Sequence, residues 1–178
     1  MTAISLWSSL HDARLHTITS NLLERKATLF FSIWHINKFH KLPDDLDFLL
    51  TFNAVTSVRA MKWVMWPGEF ALPSHSTYEE QTQLVREYQS KWRDQSVDWD
   101  ALEQLLQRGE SDITIFDAEL AIEEHEFAVK LVGYLDDDIC HVLFLHAESM
   151  EITDSRGRLY DLQQFLRLGQ EYWEDFGK

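Results

Sequence analysis

The sequence has few of the residues that cross-link or interrupt a chain: its 178 residues include 1 cysteine, 6 glycines and 3 prolines. A single cysteine, Cys140, excludes an internal disulfide and is typical of a reducing compartment. Scarce glycine and proline predict long regular elements. The glycine loops G-x-G-x-x-G and G-x-x-x-x-G-K-[ST] are absent, which argues against a nucleotide cofactor.

Long hydrophobic runs are also absent. The most apolar stretch, 27–36, is interrupted by Ser32 and His35 and is too short to span a bilayer. The first ten residues have neither the positive start nor the apolar middle of a secretory signal. We therefore expect a soluble cytoplasmic protein with no membrane partner.

Positive charge is scarce, with 16 Lys and Arg against 30 Asp and Glu, for a formal net charge of −14. Nucleic acid is disfavoured as a partner, because binding phosphates requires clustered Lys and Arg. Residues 110–147 alone contain 10 acidic residues and 1 basic one. This imbalance favours a basic protein partner, while a purely solubilising role for the acidic loops remains the alternative.

Apolar alternation predicts antiparallel strands in two blocks. In the first block, 1–68, the predicted strands are Ala13–Thr19, Lys26–Ile36, Leu46–Phe52 and Val55–Val64. In the second block, 110–153, they are Asp112–Ile122, Phe127–Leu135 and Ile139–Ala147, with Met150–Thr153 as an extension of the last. Short connections within each block favour antiparallel pairing.

Helix signals occupy the segment between the blocks and the C-terminus. Overlapping capping boxes start at Ser76 and Thr77, and a second helix is predicted from Asp98 to Gly109, so that residues 76–109 form a two-helix segment. A C-terminal helix is predicted over 161–176, weakened by a glycine; its expected inward residues are Leu162, Phe165, Leu166, Trp173 and Phe176. The expected class is α+β, in a single domain spanning 1–178.

The two blocks show a faint internal similarity. Asp12-Ala13-Arg14-Leu15 resembles Asp117-Ala118-Glu119-Leu120 at an offset of 105 residues. Leu50-Thr51-Phe52 resembles Val142-Leu143-Phe144 at an offset of 92. The similarity indicates either a structural repeat or the chance likeness of two amphipathic strands.

Two turns and one aromatic residue are the candidate contacts for a partner. Both turns are acidic, and they would form one patch if they lay at the same end of the sheet. Trp66, beside a Pro-Gly turn, is the tryptophan that we most expect to be exposed. The complete candidate set is Glu123, Glu124, Glu126, Asp136, Asp137, Asp138 and Trp66.

His11 and Asp12 form the candidate polar site, just before the first predicted strand of the sheet. Neighbours on an extended chain point apart, so we favour a structural role in which Asp12 caps backbone N–H groups. The eight histidines lack the spacings of metal ligands, and Cys140 is expected to be a buried, inert thiol. No catalytic, cofactor or metal residues are therefore assigned.

The segment Trp7-x-x-Leu10-His11-Asp12-Ala13-x-Leu15, followed by a hairpin, resembles uncharacterised bacterial β-rich families within the first 65 residues or so. These families include immunity-protein-like domains linked to toxin systems. The resemblance implies a protein that binds and blocks a basic toxin.

The sequence thus favours a non-enzymatic protein-interaction module that binds a basic partner. The alternative is a small-molecule-binding protein or enzyme with a pocket near His11 and Asp12. A third hypothesis is that the chain is a purely structural domain that forms homo-oligomers.

Overall fold

The computed structural model describes residues 2–21, 23–64, 77–92, 95–123, 126–136 and 139–176. Throughout these ranges the strand pairings are antiparallel. A long helix ends the described chain. These features confirm the α+β class, the antiparallel sheet and the C-terminal helix.

The first half of the chain contains a three-stranded meander with two short helices. Its elements are β1 (Thr2–Ser5), α1 (Trp7–Leu10), β2 (Arg14–Asn21), β3 (Lys26–Ser32), α2 (Trp34–Phe39) and β4 (Asp47–Val64). The second half contains α3 (Tyr78–Trp92), β5 (Gln95–Val97), α4 (Trp99–Gln107), β6 (Ile113–Glu123), β7 (Glu126–Asp136), β8 (Ile139–Asp154), β9 (Leu159–Tyr160) and α5 (Leu162–Phe176). The strand β5 lies between the two central helices and was not predicted.

The two predicted β blocks are joined in one sheet. The meanders β2-β3-β4 and β6-β7-β8 pair through their last strands, β4 with β8, and through their first strands, β2 with β6. The hydrogen-bonded pairings therefore return to their starting strand, so the six strands have few free edges to protect. The short strands β1, β5 and β9 add to β6, β4 and β8.

The pairing pattern is symmetric: if the two meanders changed places, the same kinds of strand pair would form. The helix before β2 packs against β6, and the helix before β6 packs against β2. β4 begins at Asp47 and β8 at Ile139, which agrees with the sequence offset of 92. β2 and β6 begin at Arg14 and Ile113, so the offset of 105 in that part does not align the strands.

One apolar cluster receives side chains from both meanders. Alternate residues of each strand point into it, as Leu29 and Phe31 do from β3 and Leu143 and Leu145 do from β8. Burial of a Leu or Phe side chain contributes about 1.5–3 kcal/mol, so this shared core holds the two meanders together. None of the helices in the described ranges is long and apolar enough to cross a membrane.

The strand predicted over Lys26–Ile36 is wrong beyond Ser32, where the chain turns into α2. Asn37 explains the change: its side-chain N–H donates to the Leu46 carbonyl at 2.7 Å, and its backbone N–H donates to the Ile33 carbonyl. These contacts stabilise a helical turn although Ile and Trp favour strands, because tertiary contacts override local propensity. Lys41, with φ of 53°, follows the helix.

The strands predicted over Leu46–Phe52 and Val55–Val64 form a single strand, β4. Ala54 has φ of 52°, and the register against β8 shifts between Val55 and Ser57. The strand therefore bends at this irregularity without ending, which lets its first part pair with β3 and its last part with β5.

The helix-capping signals are confirmed where the structure describes them. The Thr77 and Glu80 side chains each accept the other's backbone N–H, as a capping box requires. The Asp98 carboxylate caps α4 by accepting from Asp100 and Ala101, and Gly109 has φ of 66° after its end. The proposed box at Ser76 lies outside the described residues.

Candidate functional site

His11 and Asp12 follow α1, and their side chains lie close together. The His11 Nδ1 and Asp12 Oδ1 atoms are 3.3 Å apart. The expectation that these neighbours point apart is wrong, because Asp12 has φ of 63° and the chain is not extended there. Its backbone N–H donates to the Ile115 carbonyl at 2.8 Å, which ties this bend to β6.

The capping role favoured for the Asp12 carboxylate is not seen. Among the described residues the carboxylate contacts the His11 ring, and no backbone N–H donates to it. The carboxylate is about half exposed, at 53%. It therefore places a negative charge at the surface beside α1.

A continuous set of rings joins α1, α2 and α5, and we call it the aromatic face. The Trp7 ring lies 4.6 Å from His11 and 5.0 Å from Trp173 between centroids. The Tyr172 ring lies 4.7 Å from His35 and 5.6 Å from Phe176. The aromatic face comprises Trp7, His11, Trp34, His35, Phe39, Tyr172, Trp173 and Phe176.

Four residues of the aromatic face are exposed although they are large and apolar. Trp34 is 54% exposed and Phe176 is 69% exposed, and Trp7 and Phe39 are exposed to a smaller degree. The prediction that Phe176 points inward is therefore wrong, because it lies about two turns beyond Gly169, the last buried residue of α5. Clustered exposed rings are typical of a contact surface, unlike single exposed apolar residues.

Close packing of α1 on α5 holds this face in place. The Trp173 indole N–H donates to the Ser8 carbonyl at 2.9 Å, and the Ser9 hydroxyl donates to the Phe165 carbonyl at 2.9 Å. A Cβ atom added to Gly169 would lie 2.1 Å from the Ser8 oxygen. This glycine therefore allows the helices to approach, a role that its low helix propensity did not reveal.

A cavity of about 350 Å³ opens between α2 and α5 within the aromatic face. Its lining is mainly apolar, with one cationic side chain, that of Lys38. The lining residues are Trp34, His35, Lys38, Phe39, Tyr172 and Phe176.

His35 is the unusual member of this lining. It is 2% exposed, and neither ring nitrogen has a hydrogen-bond partner among the residues that the structure describes. Burial lowers the pKa of His35 to about 4, and the opposing attraction of Asp12 outweighs a smaller repulsion from His11 without cancelling the effect of burial. The imidazole is therefore neutral at physiological pH.

The two acidic turns lie at opposite ends of β7. Glu123 pairs with Glu126 at one end, and Asp136 pairs with Ile139 at the other, about 30 Å away along eleven residues. The condition for a single acidic patch is therefore not met. The Glu126 carboxylate lies 3.1 Å from the His146 ring. Glu124, Asp137, Asp138 and Trp66 lie outside the described residues.

The Asp136 end of the sheet is also the end from which α2 leaves it. A row of paired residues crosses the sheet there, and it consists of Ser32, Arg14, Thr114, Tyr134 and Cys140. α2 begins two residues after Ser32, and Asp136 lies two residues after Tyr134.

Cys140 is fully buried, and burial raises the pKa of its thiol to about 11. A buried thiol with a raised pKa is a poor nucleophile, in agreement with the prediction of an inert residue. Within the described ranges, no three His, Cys, Asp or Glu side chains form a group that could hold a metal ion.

Sequence reasoning selected His11 and Asp12 but missed the residues beside them. Trp34 and His35 were assigned to a strand, and Tyr172 was not singled out at all. The available signal was the density of rings in two short segments, Trp34-His35 and Tyr172-Trp173, since both segments place adjacent aromatic residues on short helical surfaces.

No protein-family model matches the chain, and a search of curated proteins gave no match either.

Proposed function

We propose that this protein is a non-enzymatic interaction module that binds a basic protein partner through the aromatic face. The observation that carries the proposal is the cluster of exposed rings, with Trp34 and Phe176 more than half exposed on a surface held by α1, α2 and α5. Tryptophan and other large rings supply much of the binding energy of protein interfaces.

Charge supports a basic partner. The protein has a net charge of −14, and two carboxylates lie beside the aromatic face: Asp12 follows α1, and Glu171 on α5 lies 3.8 Å from the His40 ring at the end of α2. Such charges accelerate the encounter with a basic protein, while the rings supply the lasting contact. An immunity-protein-like role in the cytoplasm is the most specific form of the proposal, and it rests on the resemblance around His11-Asp12-Ala13.

The test compares variants in capture of a partner from a lysate of source cells, followed by titration with the purified partner. Trp34→Ala and Phe176→Ala are each expected to weaken binding at least tenfold, since each removes an exposed ring of the contact. The matched control is Tyr78→Ala, because Tyr78 is 83% exposed and lies on α3, outside the aromatic face.

The dependence of affinity on salt concentration separates the contribution of charge from that of the aromatic rings. A basic partner is expected to bind more weakly as salt rises, because salt screens exposed charges. Unchanged affinity in both ring variants would contradict the aromatic face as the contact. An acidic partner, or one whose binding strengthens with salt, would contradict the charge argument.

A second candidate is a small-molecule site near His11 and Asp12. The cavity lined by His35 favours it, because a mainly apolar cleft is typical of small-molecule sites and the charge of Asp12 acts on the His35 ring.

A further inference from the structure

A cleft of about 380 Å³ lies where β4 pairs with β8, and it shares no residue with the aromatic face. Ser57 pairs with His146 and Arg59 pairs with Phe144, so these four side chains leave the sheet on the same face. Leu145, between the last two on β8, points the other way into the core. The cleft therefore opens on the face of the sheet opposite the core.

The irregularity in β4 adjoins this cleft. Ala54 has φ of 52°, and the register against β8 shifts between Val55 and Ser57. Bulges of this kind redirect neighbouring side chains and are frequent beside active sites. Ser57 is the first paired residue after the shift, and His146 lies opposite it. The irregularity thus determines which side chains face the cleft.

Arg59 supplies the positive charge of the cleft. Its guanidinium carbon lies 4.8 Å from the centre of the Phe144 ring. Within the part of the chain that the structure describes, no carboxylate pairs with this guanidinium. A guanidinium that lies over a ring keeps the N–H donors at its edge available for an oxyanion. Arg59 is exposed, so a molecule from solvent can reach those donors.

Ser57 and His146 form the polar remainder of the lining. Ser57 is exposed, and its hydroxyl can donate a hydrogen bond beside the guanidinium. The His146 side chain is 40% exposed, and its Nδ1 atom lies 3.1 Å from the Glu126 carboxylate. Glu126 therefore orients the His146 ring and places one negative charge next to the cleft.

The balance of charge favours a ligand with a single negative charge. Among the described lining residues, Arg59 has the one permanent positive charge, and Glu126 lies nearby in a protein with a net charge of −14. A second negative charge on the ligand would have no partner and would be repelled. Phe144 and Val58 form an apolar part of the lining, and the volume is at the small end of the usual range, about 300–1,000 Å³.

We propose that this cleft binds a small organic acid through its carboxylate. The carboxylate pairs with the edge of the Arg59 guanidinium and accepts from the Ser57 hydroxyl, and the apolar body of the acid packs against Phe144. The planar guanidinium matches the two oxygens of a carboxylate. The site is separate from the aromatic face and does not depend on the proposed function.

The test uses the isolated protein and compares benzoate with benzamide, which has the same ring and no charge. Nuclear magnetic resonance at neutral pH and constant ionic strength follows the side-chain Nε–H of Arg59 and the backbone N–H of Ser57. We expect benzoate to shift both signals and benzamide to bind at least about tenfold more weakly, as the loss of one charge-assisted hydrogen bond allows. Inorganic phosphate is expected to bind more weakly than benzoate, because it has more negative charge and no apolar body.

Three variants test the assignment of roles. Arg59→Gln is expected to lower the affinity for benzoate to that for benzamide, and Arg59→Lys to restore only part of it, because an ammonium lacks the planar fork. Both variants should fold, since Arg59 is exposed. Phe144→Leu is expected to weaken benzoate and benzamide by a similar factor. The matched control is Arg108→Gln, which removes an exposed cation at the end of α4 and should leave both affinities unchanged.

Equal affinity for benzoate and benzamide, or benzoate binding that Arg59→Gln leaves unchanged, would overturn the inference. Tighter binding of phosphate than of benzoate would overturn the choice of a carboxylate. Tighter binding of N-acetyl-phenylalanine would assign the cleft to the C-terminal carboxylate of a peptide and overturn the free acid as ligand. Capture of a basic partner should be the same in Arg59→Gln as in the wild type, because Arg59 lies outside the aromatic face. Failure of this inference is therefore distinguishable from failure of the proposed function.

Discussion

The two meanders share one pairing pattern but differ in the link before their last strand. The last residue of β7, Asp136, pairs with the first residue of β8, Ile139, whereas the link between β3 and β4 contains α2. That helix supplies Trp34, His35 and Phe39 to the aromatic face. The candidate site therefore lies where the two halves differ, which is expected when strands provide the scaffold and connections provide function.

The C-terminal helix, α5, adds to this difference because it forms the rest of the aromatic face. α5 packs against both α1 and α2 and contributes Tyr172, Trp173 and Phe176 to the face. In the second half, α4 packs on β2 and contributes to the shared core through Trp99 and Leu102. Changes at α2 and α5 are thus expected to affect the site, and changes at α4 to affect stability alone.

The largest expected effect comes from adding a side-chain atom where α1 and α5 are in close contact. Gly169→Ala should lower the free energy of unfolding by about 3 kcal/mol, because the new Cβ would lie 2.1 Å from the Ser8 oxygen and must push the helices apart. In an ordinary helix the same change stabilises by about 1 kcal/mol. Urea denaturation measures the effect, with Gln170→Ala as the exposed neighbouring control. A gain in stability would show that the helices do not pack this closely.

The next largest effect comes from removing the side-chain hydrogen bond between α2 and the residue before β4. Asn37 is fully buried, and its side chain donates to the Leu46 carbonyl at 2.7 Å. Asn37→Ala should cost about 2 kcal/mol, because it leaves that carbonyl unpaired and opens a small cavity. Lys38→Ala, a change at the exposed neighbour, should cost under about 0.5 kcal/mol. Equal stability of the two variants in urea would contradict the anchoring role of Asn37.

Sequence patterns predicted the strands of the two meanders better than α2, the helix that only the first meander contains. Alternation located the meander strands, because residues such as Phe48, Leu50 and Phe52 face a common core at a period of two. It assigned Trp34 and His35 to a strand, because no local signal reveals the contact between Asn37 and Leu46 nine residues away. Gly169 was likewise interpreted from helix propensity, since its neighbour Ser8 lies at the other end of the chain.

A smaller effect concerns the pH dependence of stability, which we expect to depend on one residue of the aromatic face, His35. The folded chain holds the pKa of His35 at about 4, against 6.5 for an ordinary histidine. The unfolded chain therefore binds a proton below about pH 6.5 and the folded chain does not until about pH 4, so this contribution to stability is present above pH 6.5 and is lost as the pH falls towards 4.

His35→Phe should remove that loss. Between pH 7.5 and pH 5, the wild-type protein should lose on the order of 1–2 kcal/mol more than the variant, as measured by urea denaturation at each pH. The groups that act on the ring, Asp12 and His11, are unchanged in this comparison. At pH 7.5 the variant should be at least as stable as the wild type, because both nitrogens of His35 lack partners within the described residues. Parallel pH profiles of the two proteins would show that His35 is not held neutral by burial.

The smallest effect tests the helix that serves stability alone. The Asp98 carboxylate caps α4, and Asp98→Ala should lower the free energy of unfolding by about 1 kcal/mol. The N-cap residue of α1, Leu6, has an apolar side chain that cannot accept a hydrogen bond, and the helix packs instead against α5. Binding of the basic partner should be unchanged in Asp98→Ala, since α4 packs on β2 and lines no part of the cavity between α2 and α5. A loss of partner binding in this variant would contradict the division of roles between the two halves, because it would make the aromatic face depend on the helix of the other meander.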